Sequence, residues 1–200
     1  MKPKISDYVL IKFLETHIVY EIDMLQTAYE QNNIAVERIL DKGEEPERFS
    51  RNTILECYVS HSRNLISFYI DRLKADGTKT RPDDALAIDY FDDETNWYQI
   101  IDEFKDENIN YLKKFRNRSG KEILHLTYGR KDENDPTRLW DFKTYNILMA
   151  LTEVFFHYLN PKFMTTGMQS FAHYIEQRIK KDNEIVKRIN EKQKNQNNLN

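Results

Sequence analysis

Residues 5–29, ISDYVLIKFLETHIVYEIDMLQTAY, set Ile11, Leu14, Ile18, Ile22, Leu25 and Tyr29 three and four positions apart. That recurrence lays an apolar stripe along one face of a helix and conflicts with the every-second-residue alternation of a half-buried strand. Ser6 followed by Asp7 is a start signal, and Asn32-Asn33 marks an end or a kink. The helical period continues over 34–40 and stops at Lys42-Gly43. Over 46–73 the apolar positions, among them Ile54, Tyr58, Leu65, Tyr69 and Leu73, predict one long helix entering through Glu45-Pro46 and leaving near Asp76-Gly77. Acidic residues dominate 83–107, where a short helix or turn around Tyr90-Phe91 precedes a helix from Glu94 to Asp106. Helical residues resume from Glu107 to Tyr128, GRKDENDPT at 129–137 is a loop, and two further helices are predicted from Leu139 to Leu159 and, after Asn160-Pro161, from Thr165 to Ile189. Strands find no support and most connections are short. The expected fold class is therefore all-α, an antiparallel bundle of about five to seven helices. One domain should cover 1–190, with the polar end 191–200 expected to be disordered because it has almost nothing to bury.

The composition agrees with this reading. A chain of 200 residues can bury a full core in one domain. Only 5 Gly and 5 Pro occur, which disfavours turn-rich β-sandwiches and Gly-rich phosphate-loop folds. The single cysteine, Cys57, is flanked by Leu55, Tyr58 and Val59 and reads as a buried structural thiol in a reducing compartment. Lys12, Glu15, His17, Glu21 and Asp23 interrupt the N-terminal apolar residues, and no apolar run elsewhere approaches a membrane span. A cytoplasmic protein with no membrane contact and no cofactor is expected.

The formal net charge of −3 gives no overall reason to bind nucleic acid, but it conceals an uneven distribution. Ten acids against Lys105 alone make 83–107 a −9 segment. Seven basic residues against Glu122 alone make 113–131, KKFRNRSGKEILHLTYGRK, a +6 segment. A solvated helix face accounts for such runs, as does contact with an anion or with an acidic surface. Within the basic segment, Ser119-Gly120-Lys121-Glu122 fits a capping box, which predicts a new helix starting at Gly120 and running through Ile123, Leu124, Leu126 and Thr127. Arg118 then stands just outside a positive helix end and His125 about two turns inside it. On a continuous helix the two would still share a face, since seven residues turn by roughly 700°. Arg116, nine residues before His125, would fall on the opposite face.

Arg118, six intervening residues and His125 fit the R-x(4–6)-H signature, and on these residues the chain resembles the HEPN superfamily of small all-helical proteins, which includes toxins and abortive-infection proteins of phage defence. The long helix carrying Ser62-Arg63-Asn64-Leu65 and the phrase Ile123-Leu124-His125-Leu126-Thr127 ahead of Trp140 extend the resemblance over about residues 5–160. The chain departs from the family pattern in one respect. Ser119 follows Arg118 where Asn, Asp or His is usual, whereas Arg116-Asn117 supplies the usual dipeptide at a longer spacing. The resemblance implies metal-independent RNA cleavage at sites that meet across a homodimer, with an antitoxin or other protein as partner. His125 would act as general acid or base and Arg118 would bind phosphate. Lys121 and Arg130 would attract the strand, and Tyr128 would offer a surface for a base to stack on.

Other pairs point to simpler roles. His17 and Glu21, like Glu153 and His157, sit four apart and raise the question of a metal site, but the Glu-x-x-His spacing of di-iron bundles is absent and no metal is expected. His61 and Arg63 within HSRN read as a polar patch at a helix crossing. His125 itself also fits a partly buried helix histidine with a satisfied hydrogen bond. The alternative function is a catalytically inactive bundle that dimerises or docks a partner through its acidic and basic segments.

Overall fold

In the computed structural model of the chain, which describes residues 5–43, 47–75, 77–79, 84–122 and 142–197, the hydroxyl of Ser6 caps the first helix by accepting from the Val9 N–H at 3.4 Å. Helix α1 (Asp7–Phe13), a π-helical turn (Leu14–Ile18) and α2 (Val19–Lys42) follow one another without a break. The π turn has a cause in the spacing of the buried residues. Leu10, Leu14, Ile18 and Ile22 lie four apart, and on a regular α-helix each such step would carry the apolar row about 40° further around the rod. One wider turn brings the row back toward the core.

The chain does not stop or kink at Asn32-Asn33. Asn33 is buried inside α2, which continues to Gly43, where a left-handed φ of 66° and an N–H bond to the Ile39 carbonyl at 2.9 Å close the helix. Helix α3 (Arg48–Ile70) returns antiparallel to α2. A 3-10 turn (Ala87–Tyr90), α4 (Glu94–Glu103) and α5 (Asp106–Glu122) come next, followed by α6 (Lys143–Tyr158), a 3-10 turn (Pro161–Phe163) and α7 (Thr166–Asn197). The fold is all-α, with no strand among the described residues. None of the described helices is long and apolar enough to cross a membrane.

Residue partners fix how the long helices run. Glu21 meets His61 and Asn64 while the Met24 carbonyl meets Cys57, so α2 and α3 are antiparallel. On the other side of α2, Asp23 meets Tyr174, Glu30 meets Lys181, Glu37 meets Arg188 and Asp41 meets Lys192, each pair 151 residues apart. A constant separation means that α2 and α7 run parallel in fixed register. Helices α3 and α6 also run the same way, since Tyr58 reaches the Tyr145 N–H and Tyr69 reaches Thr152. A parallel pair needs a connection that crosses back along the bundle, and α4 and α5 lie within it.

Phe155 sits at the centre of the core. Its ring lies 5.3–6.0 Å from those of Phe68, Tyr69, Tyr90, Phe91, Trp97 and Phe156. Polar groups in this interior are tied down: Trp97 donates to the Tyr69 carbonyl at 2.8 Å and Tyr90 to the Leu10 carbonyl at 3.1 Å.

One further expectation needs revision. The capping box at Ser119-Gly120-Lys121-Glu122 starts no helix, because α5 runs through all four residues. Ser119 is fully buried there, and its hydroxyl turns back to donate to the Arg116 carbonyl at 2.7 Å. That internal bond satisfies a buried serine without a helix end. Helix α7 runs past Ile189 to Asn197, with Lys192 bonded to both oxygens of Asp41 at 2.7 and 2.8 Å.

Candidate functional site

The π turn, the middle of α3 and the end of α5 converge on a cleft of about 730 Å³. His17 and Glu21 enter from the N-terminal rod, Arg63 and Asn64 from α3, and Arg116 and Asn117 from α5. Each position follows from local structure. The π turn swings His17 and Glu21 onto the side facing α3. The antiparallel α2–α3 crossing then brings HSRN opposite them, as the polar-patch reading expects. Glu21 Oε2 accepts from Asn64 Nδ2 at 3.1 Å and lies 2.7 Å from His61 Nδ1, so one carboxylate oxygen joins two residues of that motif. The Tyr20 ring meets the His61 ring edge-on at 5.5 Å. Both members of the Glu21–His61 contact are mostly buried, which shields this hydrogen bond from competing water.

At the α5 side, Arg116 pairs with Asp71, the first residue beyond α3. This bond ties the end of α5 to the end of α3 and holds the guanidinium at the cleft wall. Close by, the Lys79 ammonium donates to the Asp84 carbonyl and to Asp89 Oδ2, both at 2.6 Å, and Asp89 Oδ2 also accepts from the Leu86 N–H at 2.9 Å. The wall formed by 84–86 is thereby fixed from below. Cys57 is half-buried near Glu21, and burial together with that carboxylate pushes its thiol pKa up, as an inert structural cysteine requires.

The predicted site residues separate clearly. Arg118 is half-buried on α5 and is not among the cleft-lining residues. Arg116 and Asn117, the alternative dipeptide, are. Lys121 falls in the last turn of α5. His125, Tyr128 and Arg130 lie outside the described residues. Glu153 and His157 line a separate, smaller groove of about 530 Å³ between α6 and α7. Among the described residues no group of three or more His, Cys, Asp and Glu side chains is arranged to hold a metal ion. Glu21, which the His17 spacing offered as a ligand, is engaged by His61 and Asn64 instead.

Sequence reasoning passed over Asp71 and the joining role of Glu21. The four-residue spacing of His17 and Glu21 and the HSRN motif were both visible, but nothing in one dimension says that they meet. The acidic segment, expected to seek a basic surface, finds cations of this chain: Arg72 for Asp102, Lys79 for Asp89 and Lys162 for Asp92. No protein-family model, no curated protein and no solved structure matches the chain.

Proposed function

We propose that this chain is a HEPN-like, metal-independent ribonuclease of a phage-defence or stress-response system, acting in the cytoplasm. In this reading His125 removes the proton of a ribose 2′-OH as that oxygen attacks the adjacent phosphorus. Protonation of the departing 5′-oxygen completes the step. A guanidinium holds the phosphate and offsets the charge that develops on it. Lys121 and Arg130 draw the strand in, Tyr128 stacks a base, and two protomers form a homodimer that an antitoxin can cover.

The observation that carries the reading is the position of Arg116 and Asn117. They line the cleft at the end of α5, immediately ahead of the residues that complete the +6 segment, so the Arg-Asn dipeptide usual in the family faces open space large enough for a nucleotide. Arg118 fits the family spacing and Arg116 fits the cleft. The cleft position favours Arg116 over Arg118 as the phosphate-binding arginine of this reading. Support for a protein contact comes from the N-terminal rod, which leaves Tyr8 70% and Val9 52% exposed.

The test is degradation of RNA by the purified chain in EDTA. His125→Ala should abolish cleavage while the helical circular dichroism stays unchanged. Full cleavage by that variant removes His125 from the mechanism, and an inactive wild-type chain overturns the reading in favour of a docking module.

A further inference from the structure

Arg63 stands apart among the cations of the cleft. It is half-buried on α3, it lines the same cleft as Arg116, and among the described residues it pairs with no carboxylate. A guanidinium that gives up part of its hydration normally recovers the loss through a carboxylate or phosphate, and its rigid fork suits a two-point contact. Two of the three acids lining the cleft are committed elsewhere. Glu21 is held by His61 and Asn64 and Asp71 by Arg116, while Asp84, whose backbone carbonyl accepts from Lys79, makes no ion pair with Arg63. Arg63 thus lines the cavity with its charge paired to no carboxylate among the described residues.

Two Arg-Asn dipeptides, Arg63-Asn64 on α3 and Arg116-Asn117 on α5, line this one space. The α3–α5 packing that brings them together is fixed at its end by the Arg116–Asp71 pair. We infer that Arg63 is a second phosphate-binding residue, gripping the phosphodiester of a single-stranded RNA next to the one held by Arg116. The inference rests on the ribonuclease reading for the identity of the strand. Its own content is that α3 supplies a backbone contact, which positions the RNA and takes no part in proton transfer. Asn64 stays with Glu21 and keeps α3 in register beside the rod.

A short mixed-sequence single-stranded 2′-O-methyl RNA tests this, because its blocked 2′-oxygen allows binding without cleavage. Fluorescence anisotropy over a range of salt concentrations should show Arg63→Gln binding about tenfold more weakly than wild type, with the slope of log K against log salt reduced by about 0.7, the value for one phosphate contact on a single strand. Arg63→Lys should keep the slope and lose part of the affinity, since it retains the charge without the fork. Lys187→Ala, which removes an exposed charge on α7, should change neither. Wild-type affinity and slope in Arg63→Gln overturn the inference, as does a wild-type chain that binds no RNA at low salt. The two proposals separate cleanly. Binding that depends on Arg63 in a chain that never cleaves RNA sinks the ribonuclease reading and keeps the RNA site. Cleavage that depends on His125 but ignores Arg63, in both KM and binding, does the reverse.

Discussion

The phenol of Tyr145 donates to the carboxylate of Asp182 across 2.6 Å, joining α6 to α7 inside the bundle. Tyr145 in turn stacks flat on Tyr29 of α2, with ring centroids 3.7 Å apart, so three helices meet at one polar point. Asp182 is only 3% exposed, and burial holds its carboxyl above the ordinary carboxylate range. Glu30 adds to that shift, while Tyr145, Gln26 and the nearby Arg178 oppose it.

This arrangement makes Asp182 a pH-dependent burden on the fold. At low pH the residue is protonated whether the chain is folded or not. As pH rises, the unfolded chain ionises first, near 3.8, and the folded chain only later. Across that interval the folded state holds the extra proton, so stability falls with rising pH until the folded carboxyl has also ionised. Asp182→Asn keeps an acceptor for Tyr145 and removes the buried charge. It should be more stable than wild type at neutral pH by about 1 kcal/mol, with the advantage shrinking toward the acid end. Thermal melts at a series of pH values check this, and a constant difference between the two proteins would contradict it.

Glu30 has the opposite sign. Lys181 and Arg178 donate to its two oxygens at 2.7 and 2.6 Å and hold its pKa below the usual value. The resulting stability is fully present above the unfolded pKa near 4.5 and is lost as pH falls through the depressed folded value. Glu30→Gln should therefore lower stability at neutral pH by about 0.5–1 kcal/mol, a range that already allows for solvent screening. The difference should narrow in high salt and vanish in acid. Urea denaturation at neutral and acid pH, with and without added salt, measures it.

Apolar spacing made most of the helices legible. The stripe from Ile11 to Tyr29 is the core face of the rod, and Ser6 and Gly43 cap the ends that their residue types suggest. Local signals misled where packing overrode them. Asn33 and Ser119 both carry helix-end chemistry, yet both are buried inside helices, where packing of the flanking apolar residues outweighs their preference for termini. The parallel α2–α7 register was out of reach for a different reason. It depends on partners 151 residues apart, and no local pattern reports a separation of that size. The cleft follows the same rule. His17, Glu21, Arg63 and Arg116 stood out singly and Asp71 did not, and which of Arg116 and Arg118 lines the cleft depends on which side of α5 faces α3.

The aromatic core should be intolerant of truncation at one position above others. Phe155 touches rings from α3, α4 and the segment around Tyr90, so its removal opens a cavity bordered by residues that their own hydrogen bonds hold in place. Trp97 is fixed by its bond to Tyr69 and Tyr90 by its bond to Leu10. Phe155→Ala should cost about 3–5 kcal/mol and Phe155→Leu markedly less, read from the midpoint of urea unfolding.

The last prediction separates the two arginines. If Arg116 holds the phosphate, Arg116→Ala should lower kcat/KM on RNA by about 100-fold, as removal of a charge-stabilising donor does elsewhere. Arg118→Ala should then change it only a few-fold, because its side chain is not among those lining the cleft. On that same condition Asp71, which pairs with Arg116, acts through it as a positioning residue. Asp71→Asn should weaken catalysis less than Arg116→Ala does, and Asp71→Glu should restore part of the loss, a rescue that a merely structural role would not give. Side-by-side kinetics on a fluorogenic RNA decide the matter. A large loss in Arg118→Ala with none in Arg116→Ala would return the phosphate contact to the residue that fits the R-x(4–6)-H spacing, and would mean that the cleft beside α3 is not where the chemistry occurs.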